Sequence, residues 1–461
     1  MKGSGRQGIL PLVFELHRRD DVTARAGLSL VLESAHALGL TEAVEQRLKL
    51  RERRSGYSEV EKLEAIVLLL SAGGECVEDI RLLSADEGLE RMLARSFPSP
   101  DALHSFLAAF HDESRLAGRP SEGAFIPTES DALGALAAVN TQIVRQAGAG
   151  ATTATVDLDA TIIESHKEAC YPHYKGGRGY QPALALWAEE NLVLADEFRD
   201  GNVPAGMAPL VLAQRAFAAL PDTVRSRYFR ADSACYEEHL LKWLYGQKIA
   251  FTISADMTKP LRARCIAATE WQLLEERVSE SVHTVEIEFA PGDWPKEAEP
   301  LRYVALRFSS KQRDLFGEED VPIKYLAVVS NRRDLSASEL LRWHWAKAGT
   351  IEHAHDVMKN ELGASSLPSG LFGASAAWYR ISGLTYNVLS YLRRQALPHR
   401  LRNARPKRLR FEIFTMPARL AEPQGVLTVR SNAPADLVEA LVAARGKLLA
   451  AYERRRGSPT T

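Results

Sequence analysis

The segment that most constrains the fold is residues 151–165, ATTATVDLDATIIES, where a run rich in threonine, valine and isoleucine carries two aspartates. β-Branched side chains favour an extended backbone, so this segment is predicted to be a buried strand. The two-residue period of a strand places Asp157, Asp159 and Thr161 on one face. Two carboxylates on such a face are costly to bury unpaired. Either salt bridges to the aspartates or a bound hard cation such as Mg²⁺ would offset this cost.

Length and charge limit what such a strand can serve. The chain has 461 residues, of which 46% are hydrophobic, and it can bury two or three cores. Its net charge of −1 argues neither for nor against nucleic acid. One segment without acidic residues, however, concentrates basic side chains: Arg393, Arg394, Arg400, Arg402, Arg405, Lys407, Arg408 and Arg410. This run predicts phosphate contacts or, alternatively, a solvated basic face.

The cysteines and the N-terminus indicate a cytoplasmic protein. Cys76, Cys170, Cys235 and Cys265 are far apart, so neither a zinc site nor a disulfide framework is expected. The first 21 residues lack the long apolar core and cleavage site of a signal peptide. No run approaches the ~18 apolar residues of a membrane span, so no membrane association is expected.

The chain then divides by pattern. Residues 1–145 are predicted to form a mainly helical N-terminal domain, with helical spacing over 61–70 and a helix over 101–110 that begins at Ser99 and Pro100. These helices form either a DNA-binding module or an ordinary helical core. From residue 150 onward, strands and helices alternate, which predicts an α/β layer architecture. Residues 260–322 interrupt this alternation with two runs typical of a β-rich insertion.

A late helical region, residues 336–362, completes this pattern. Ser336 and Glu339 form a capping box at its start, and Gly349 is expected to divide it into two helices. One face carries Trp345, Ala348, Glu352, Asp356 and Lys359. This face alone is equally typical of an exposed row of salt bridges.

The order of four segments, TVDLDATII, FRDGN, FRADSACY and TIEHAHDVMKNELG, resembles the catalytic core of DDE transposases of bacterial insertion sequences. The resemblance is to the group with a Tyr-Arg-Glu-Lys signature and spans roughly residues 150–390. It implies a ribonuclease H-like mixed sheet flanked by helices, with the β-rich insertion before the Glu-bearing helix. The catalytic domain is then predicted at 150–395. A basic C-terminal region that ends in a helix follows at 396–461.

The resemblance also implies which residues act. Asp159, Asp232 and Glu352 would be the catalytic acids and would hold two Mg²⁺ ions, with Mn²⁺ as a substitute. The family signature falls on Trp345, Ala348, Glu352 and Lys359, where Trp345 is an aromatic replacement and Ala348 lacks the guanidinium group. The side chains expected to contact DNA are Lys359, Arg199 and Arg230, on phosphates, and Trp345 or Trp294, on an unpaired base.

Asp159 is preferred over Asp157 because Asp159-Ala160-Thr161 matches the family's Asp-x-Thr context. Asp157, about 6.6 Å away along a strand, is expected to orient a water molecule or to pair with a basic residue.

The predicted function is that of a DNA transposase, which cleaves insertion-sequence ends and transfers them into target DNA by two-metal phosphoryl transfer. Its partners would be double-stranded DNA, as terminal inverted repeats and target, and a second copy in a homodimer on DNA. A metal-dependent nuclease of the same fold and a catalytically decayed DNA-binding protein remain as alternatives.

Overall fold

The computed structural model describes residues 19–50, 56–120, 123–292, 294–296, 298–310 and 323–457. Residues 1–18, which make up most of the N-terminal segment that was not expected to be a signal peptide, lie outside the described residues. The end of the predicted β insertion, 311–322, also lies outside them.

The strands of the described residues are numbered in chain order. They are β1 Val22–Thr23, β2 Thr153–Ala160, β3 Ile163–Glu164, β4 Tyr171–Pro172, β5 Arg178–Tyr180, β6 Ala183–Trp187, β7 Leu192–Glu197, β8 Ser226–Ala231, β9 Ala250–Ala255, β10 Gln272–Glu276, β11 Glu280–Phe289, β12 Leu301–Ser310, β13 Lys324–Ser330, β14 Ala418–Ala421 and β15 Thr428–Ser431.

The α-helices are numbered in the same way. They are α1 Ser29–Ala37, α2 Leu40–Arg47, α3 Glu59–Ala72, α4 Ile80–Ser84, α5 Glu87–Leu93, α6 Pro100–Ala108, α7 Asp131–Ala147, α8 Pro209–Ala219, α9 Glu238–Gly246, α10 Lys259–Ala267, α11 Ala337–Trp345, α12 Ile351–Glu361, α13 Phe372–Tyr391, α14 Pro406–Leu409 and α15 Ala435–Gly457.

The largest sheet among the described residues is mixed and has β2 near its centre. Its strand order is β10-β11-β12-β13-β9-β8-β2-β6-β7. β8 runs parallel to both β2 and β9, whereas β6 and β7 form an antiparallel hairpin beside β2. Helices flank this sheet, with α8 on β6 and β7, α9 on β9, and α12 on β2 and β6. The predicted mixed α/β fold is therefore confirmed.

The two faces of β2 differ as its sequence predicts. Ala154, Val156 and Leu158 are buried in the main apolar core, and the alternate positions present Asp157 and Asp159 to the face that α12 covers. The strand is shorter than the predicted segment because the backbone leaves the large sheet after Ala160. A separate small sheet, ordered β3-β5-β4, follows at once.

Helix α13 is the centre of the molecule. Nearly all of its side chains are buried, and it packs against α1, α3, α6 and α7 as well as strand β7. One continuous apolar cluster therefore extends from Leu28 to Leu448. The division into domains at 1–145, 150–395 and 396–461 stays a prediction, and the described parts of these three segments share a core.

The first and last described segments also meet. β1 pairs antiparallel with β14, and β14 pairs with β15, to form a three-stranded sheet. α15 packs along α1. No local sequence pattern indicated this pairing, because strands of two to four residues carry little periodicity. No helix in the described ranges combines the length and apolarity needed to cross a bilayer.

Candidate active site

Two aspartates meet where parallel strands end. The pairing of β2 with β8 ends at Leu158 and Ala231. The residue after Leu158 is Asp159, and the residue after Ala231 is Asp232. Neighbouring strands lie about 4.8 Å apart. The sheet register therefore brings together two acids that are 73 positions apart in the sequence, the separation that also divides Asp157 from Arg230.

The Asp159 carboxyl group lies in an unfavourable environment for a charge. Burial is the main cause that raises its pKa, to about 6; the ammonium group of Lys347 opposes the rise, and the nearby carboxylates of Asp232 and Glu352 contribute to it. Lys347 Nζ lies 3.8 Å from Asp159 Oδ2. Three acids thus share one locality, and a buried lysine partly balances their charge.

The other two acids are held by the ends of helices. Asp232 caps a short 3₁₀ turn, where its Oδ1 accepts a hydrogen bond of 3.2 Å from the Ala234 amide. Glu352 lies in the first turn of α12 and is exposed to solvent. The last turn of the same helix is attached to the loop that follows β2, because Lys359 Nζ donates to the Ile162 carbonyl oxygen at 2.8 Å.

The donor set suits a hard divalent ion. Carboxylate oxygens are the ligands that Mg²⁺ prefers, and the raised pKa of Asp159 indicates acids that a cation would stabilise in their charged form. As the side chains are placed, no three His, Cys, Asp or Glu residues in the described ranges are close enough together to hold a metal ion. The acids therefore share a site without forming a closed ligand set.

Asp157 has a different role from Asp159. It is fully buried and accepts two hydrogen bonds from Arg230, at 2.7 Å from Nε and 2.8 Å from Nη2. The Thr350 hydroxyl also donates to it. Of the two roles expected for Asp157, pairing with a basic residue is the one observed. The hydrogen bond from Thr350 links this ion pair to the turn before α12.

Two predicted phosphate contacts lie in the interior instead. Arg230 is buried between Asp157 and the Trp343 carbonyl oxygen, to which Nη1 donates at 2.7 Å. Arg199 is also buried and donates to Glu197 and to the Ala205 carbonyl oxygen. Both guanidinium groups stabilise the fold, so their predicted direct contact with DNA phosphate is incompatible with their burial.

The two candidate stacking residues differ in exposure. Trp294 is buried, donates to the Glu299 carbonyl oxygen at 3.1 Å and packs edge-on against Tyr245, so it is a core residue. Trp345 is 44% exposed at the end of α11. It does not lie on α12, because a 3₁₀ turn over Ala346–Gly349 separates the two helices close to the predicted break at Gly349.

Sequence reasoning missed Lys347. This residue is buried within the 3₁₀ turn, directly before Ala348, where the family signature has arginine. The only signal in the sequence was that Lys347 lies one position before Ala348, where the arginine of the family signature is missing. A shift of one position changes the direction of a side chain, and only the three-dimensional structure identifies its partner as Asp159.

Most of the basic run binds this chain's own groups. Arg405 pairs with Asp356 and Glu361, Arg400 and Arg408 pair with Glu412, and Arg394 pairs with Glu190. Arg410 donates to the carbonyl oxygens of Leu70, Ser71 and Glu361. Arg393 is buried and donates to the Ala404 carbonyl oxygen. Arg400, Arg402, Lys407 and Arg408 are nevertheless exposed, so the run is partly internal structure and partly a solvated basic surface.

Comparison with family models assigns a known domain to most of this chain. A family model described as "Transposase DDE domain group 1" matches residues 17–441. A comparison with curated proteins found no match. Among solved structures, a similar chain is that of the "Cryo-EM structure of piggyBac transposase synaptic complex with hairpin DNA (SNHP)". It is 11% identical, with a TM-score of 0.44, and the match covers 94% of this chain and 80% of that one.

Proposed function

Because the chain belongs to the transposase DDE domain family and is therefore a DNA transposase, we propose that it cleaves DNA at the ends of its element and joins them to target DNA. Asp159, Asp232 and Glu352 are the proposed catalytic acids. The observation that carries this proposal is the register of β2 and β8, which brings Asp159 beside Asp232 at the edge where Glu352 raises the pKa of Asp159.

The family implies a divalent metal, and we propose two Mg²⁺ ions, with Mn²⁺ as a substitute, held by these three carboxylates. Bound ions would supply Lewis acidity and charge neutralisation for the transfer of a phosphoryl group between DNA oxygens. The protein's own part is to position the DNA and to stabilise negative charge. This suits a site built from carboxylates and lysines, with no need for a serine or cysteine nucleophile.

Two lysines support this positioning role. Lys347 lies beside Asp159 and compensates its charge, so it keeps the acids together before DNA arrives. Lys359 is half-buried and tied to Ile162, on the same helix as Glu352. We propose that Lys359 contacts a DNA phosphate and that Trp345, which is partly exposed, lies against the DNA end.

The substrate we propose is double-stranded DNA that carries the element's terminal inverted repeats, together with a target duplex. Joining two ends to one target requires that both ends be held at once, so we also propose a homodimer on DNA. Sizing the protein with and without terminal-repeat DNA tests this assembly, and a complex with one protein copy per two ends would contradict it.

The function is tested by incubating the protein with Mg²⁺ and DNA that carries the terminal repeats found next to the gene. We expect cleaved ends and, with target DNA, joined products. Cleavage without joining would instead support a metal-dependent nuclease. DNA binding without any cleavage, by protein that is folded, would support a catalytically decayed binding protein.

A further inference from the structure

A small hairpin follows β2 and β3 in the chain. β4 and β5 form it, and β5 pairs on its other edge with β3, which begins three residues after β2 ends. Its turn, His173–Gly177, is here called the hairpin tip. The sequence of the tip, HYKGG, belongs to the glycine-rich loop between the first two strands of the large sheet.

The hairpin tip is held in one conformation. The His173 amide donates to the Gly177 carbonyl oxygen at 2.8 Å, and the Gly176 amide donates back to the His173 carbonyl oxygen at 3.0 Å. His173 is buried, and a Cβ atom on Gly177 would lie only 2.7 Å from its Nε2. Gly176 has a φ of +92°, which disfavours other residues. The two residues between His173 and Gly176 are thus presented on a fixed turn.

Those two residues are an aromatic ring and a cation. Tyr174 is 76% exposed, and the Lys175 ammonium group lies 5.8 Å from the centroid of its ring. Within the described part of the chain, Lys175 belongs to no ion pair. A single exposed aromatic residue is ordinary. An exposed ring beside an unneutralised ammonium group on a braced turn is the combination that binds single-stranded nucleic acid.

The tip lies close to the far end of the Glu352 helix. Lys359 Nζ donates to the Ile162 carbonyl oxygen at 2.8 Å, and the next residue, Ile163, pairs with Tyr180 on the β5 strand of the hairpin. The charge of Lys175 also acts, after burial, to lower the pKa of Lys359. Glu352 and Lys359 are two helical turns apart, or about 10 Å along the axis. One strand of duplex DNA advances about 3.4 Å per nucleotide, and an unpaired strand advances further, so this separation spans at most roughly three nucleotides.

We propose that Tyr174 and Lys175, together with Lys359, form a contact surface for the DNA strand that leaves the catalytic acids. The Tyr174 ring stacks on an unpaired base, and the two ammonium groups contact phosphates on either side of it. The base must be unpaired because an aromatic side chain reaches the π-face of a base only where that base has left the duplex stack. This inference rests on the proposed function, since it takes DNA as the substrate.

The test uses a short duplex with a single-stranded 3′ extension that contains 2-aminopurine, whose fluorescence falls when the base stacks. Binding is measured without metal, so no cleavage occurs. We expect the unmodified protein to quench the fluorescence, and Tyr174→Ala to abolish quenching and weaken binding by roughly 5- to 150-fold, the range of one stacked base. Tyr174→Trp should keep both properties. Lys175→Gln should lower the salt slope by about 0.7, as for one lost contact to a single strand.

Two controls make the result specific. Phe411 is 79% exposed and lies 5.8 Å from the Arg408 guanidinium group, so Phe411→Ala removes an equally exposed ring beside a cation elsewhere on the surface. It should leave both signals unchanged. Unaltered binding by Tyr174→Ala, or an equal loss on a blunt duplex, would overturn the proposal. Failure of the proposed function would appear separately, as absent cleavage by the unmodified protein with metal.

Discussion

At the scale of single residues, Asp159 combines the predicted catalytic role with an energetic disadvantage. Its folded-state pKa of about 6 exceeds the ordinary value of 3.8, so the folded protein binds a proton more readily than the unfolded chain does. Stability from this group is complete below pH 4 and is lost as the pH rises through 6. The site is therefore least stable, without metal, under the neutral conditions in which its acids are charged.

We predict that Asp159→Asn eliminates Mg²⁺-dependent cleavage and removes this pH dependence. Between pH 4 and pH 7 the unmodified protein should lose on the order of 2–3 kcal/mol of unfolding free energy that the variant keeps. Denaturant unfolding at several pH values, without metal, measures this difference. Parallel curves for the two proteins would show that the Asp159 carboxyl group titrates normally.

Glu352→Gln is predicted to abolish both cleavage and joining while leaving binding to DNA ends nearly intact. The amide keeps the size of the side chain but loses the charge that holds a cation. Because Glu352 is exposed, its replacement should change stability by no more than about 0.5 kcal/mol. Gel-shift and cleavage assays on the same preparation test this. A folded variant that still cleaves would remove α12 from the active site.

Asp157→Asn is predicted to act mainly on stability. It leaves the buried Arg230 without its charged partner, which destabilises a protein by about 3–5 kcal/mol. Measurable cleavage should remain in the fraction that folds. Chemical unfolding of Asp157→Asn, Arg230→Met and the double variant forms a double-mutant cycle. We expect the double variant to lose less unfolding free energy than the sum of the two single losses. Additive effects would mean that the ion pair contributes nothing.

The residues of the site differ in how well sequence predicts them. Asp157 and Asp159 share a strand face, and their common direction follows from the strand period alone. Whether a nearby arginine contacts DNA or the protein depends on burial, which no local pattern reports. Arg230 belongs to a half-apolar strand, and it is enclosed by Asp157 from the neighbouring strand and by Trp343 from α11, which lies far along the chain. Lys347 was missed for the same reason.

At the scale of elements, the long and regular segments were predictable. α3, α6 and the start of α11 lie within a few residues of their expected bounds, because apolar periodicity and caps are local properties. The π-helical segments Leu392–Ala396 and Arg410–Phe414, and the contacts of Arg394 and Arg410 in the basic run, were not predictable. Their hydrogen-bond partners come from α3, α12 and the turn between β6 and β7, all distant in sequence.

We predict that Arg410→Gln destabilises the protein, because Arg410 satisfies the terminal carbonyl oxygens of α3 and one of α12. Losing these bonds should lower the unfolding free energy by about 1–3 kcal/mol. Arg402→Gln is the matched control: it lies in the same run, is exposed, and should change stability by less than about 0.5 kcal/mol. Thermal unfolding compares the two. Equal effects would show that the run is held by general charge and not by these contacts.

At the scale of the whole molecule, the described parts of the three predicted domains depend on one another. α13 belongs to the predicted catalytic domain but is covered by α1, α3, α6 and α7. We predict that a fragment of residues 150–395 does not fold alone, since it would expose the face of α13 that these helices bury. Circular dichroism and protease digestion of the fragment, beside the full chain, test this. A cooperative unfolding transition in the fragment would contradict it.

The pairing of β1 with β14 sets a lower limit on the time that folding takes in a cell. Asp21 and Arg419, which form an ion pair beside this pairing, are 398 positions apart. A ribosome that adds about 5–20 residues per second needs roughly 20–80 s to make the intervening chain. Throughout that interval β1 has no strand to join and α1 lacks the helix that covers it. A premature stop or a frameshift before β14 would therefore leave β1 and α1 without their partners, although the code for Asp159, Asp232 and Glu352 would be intact.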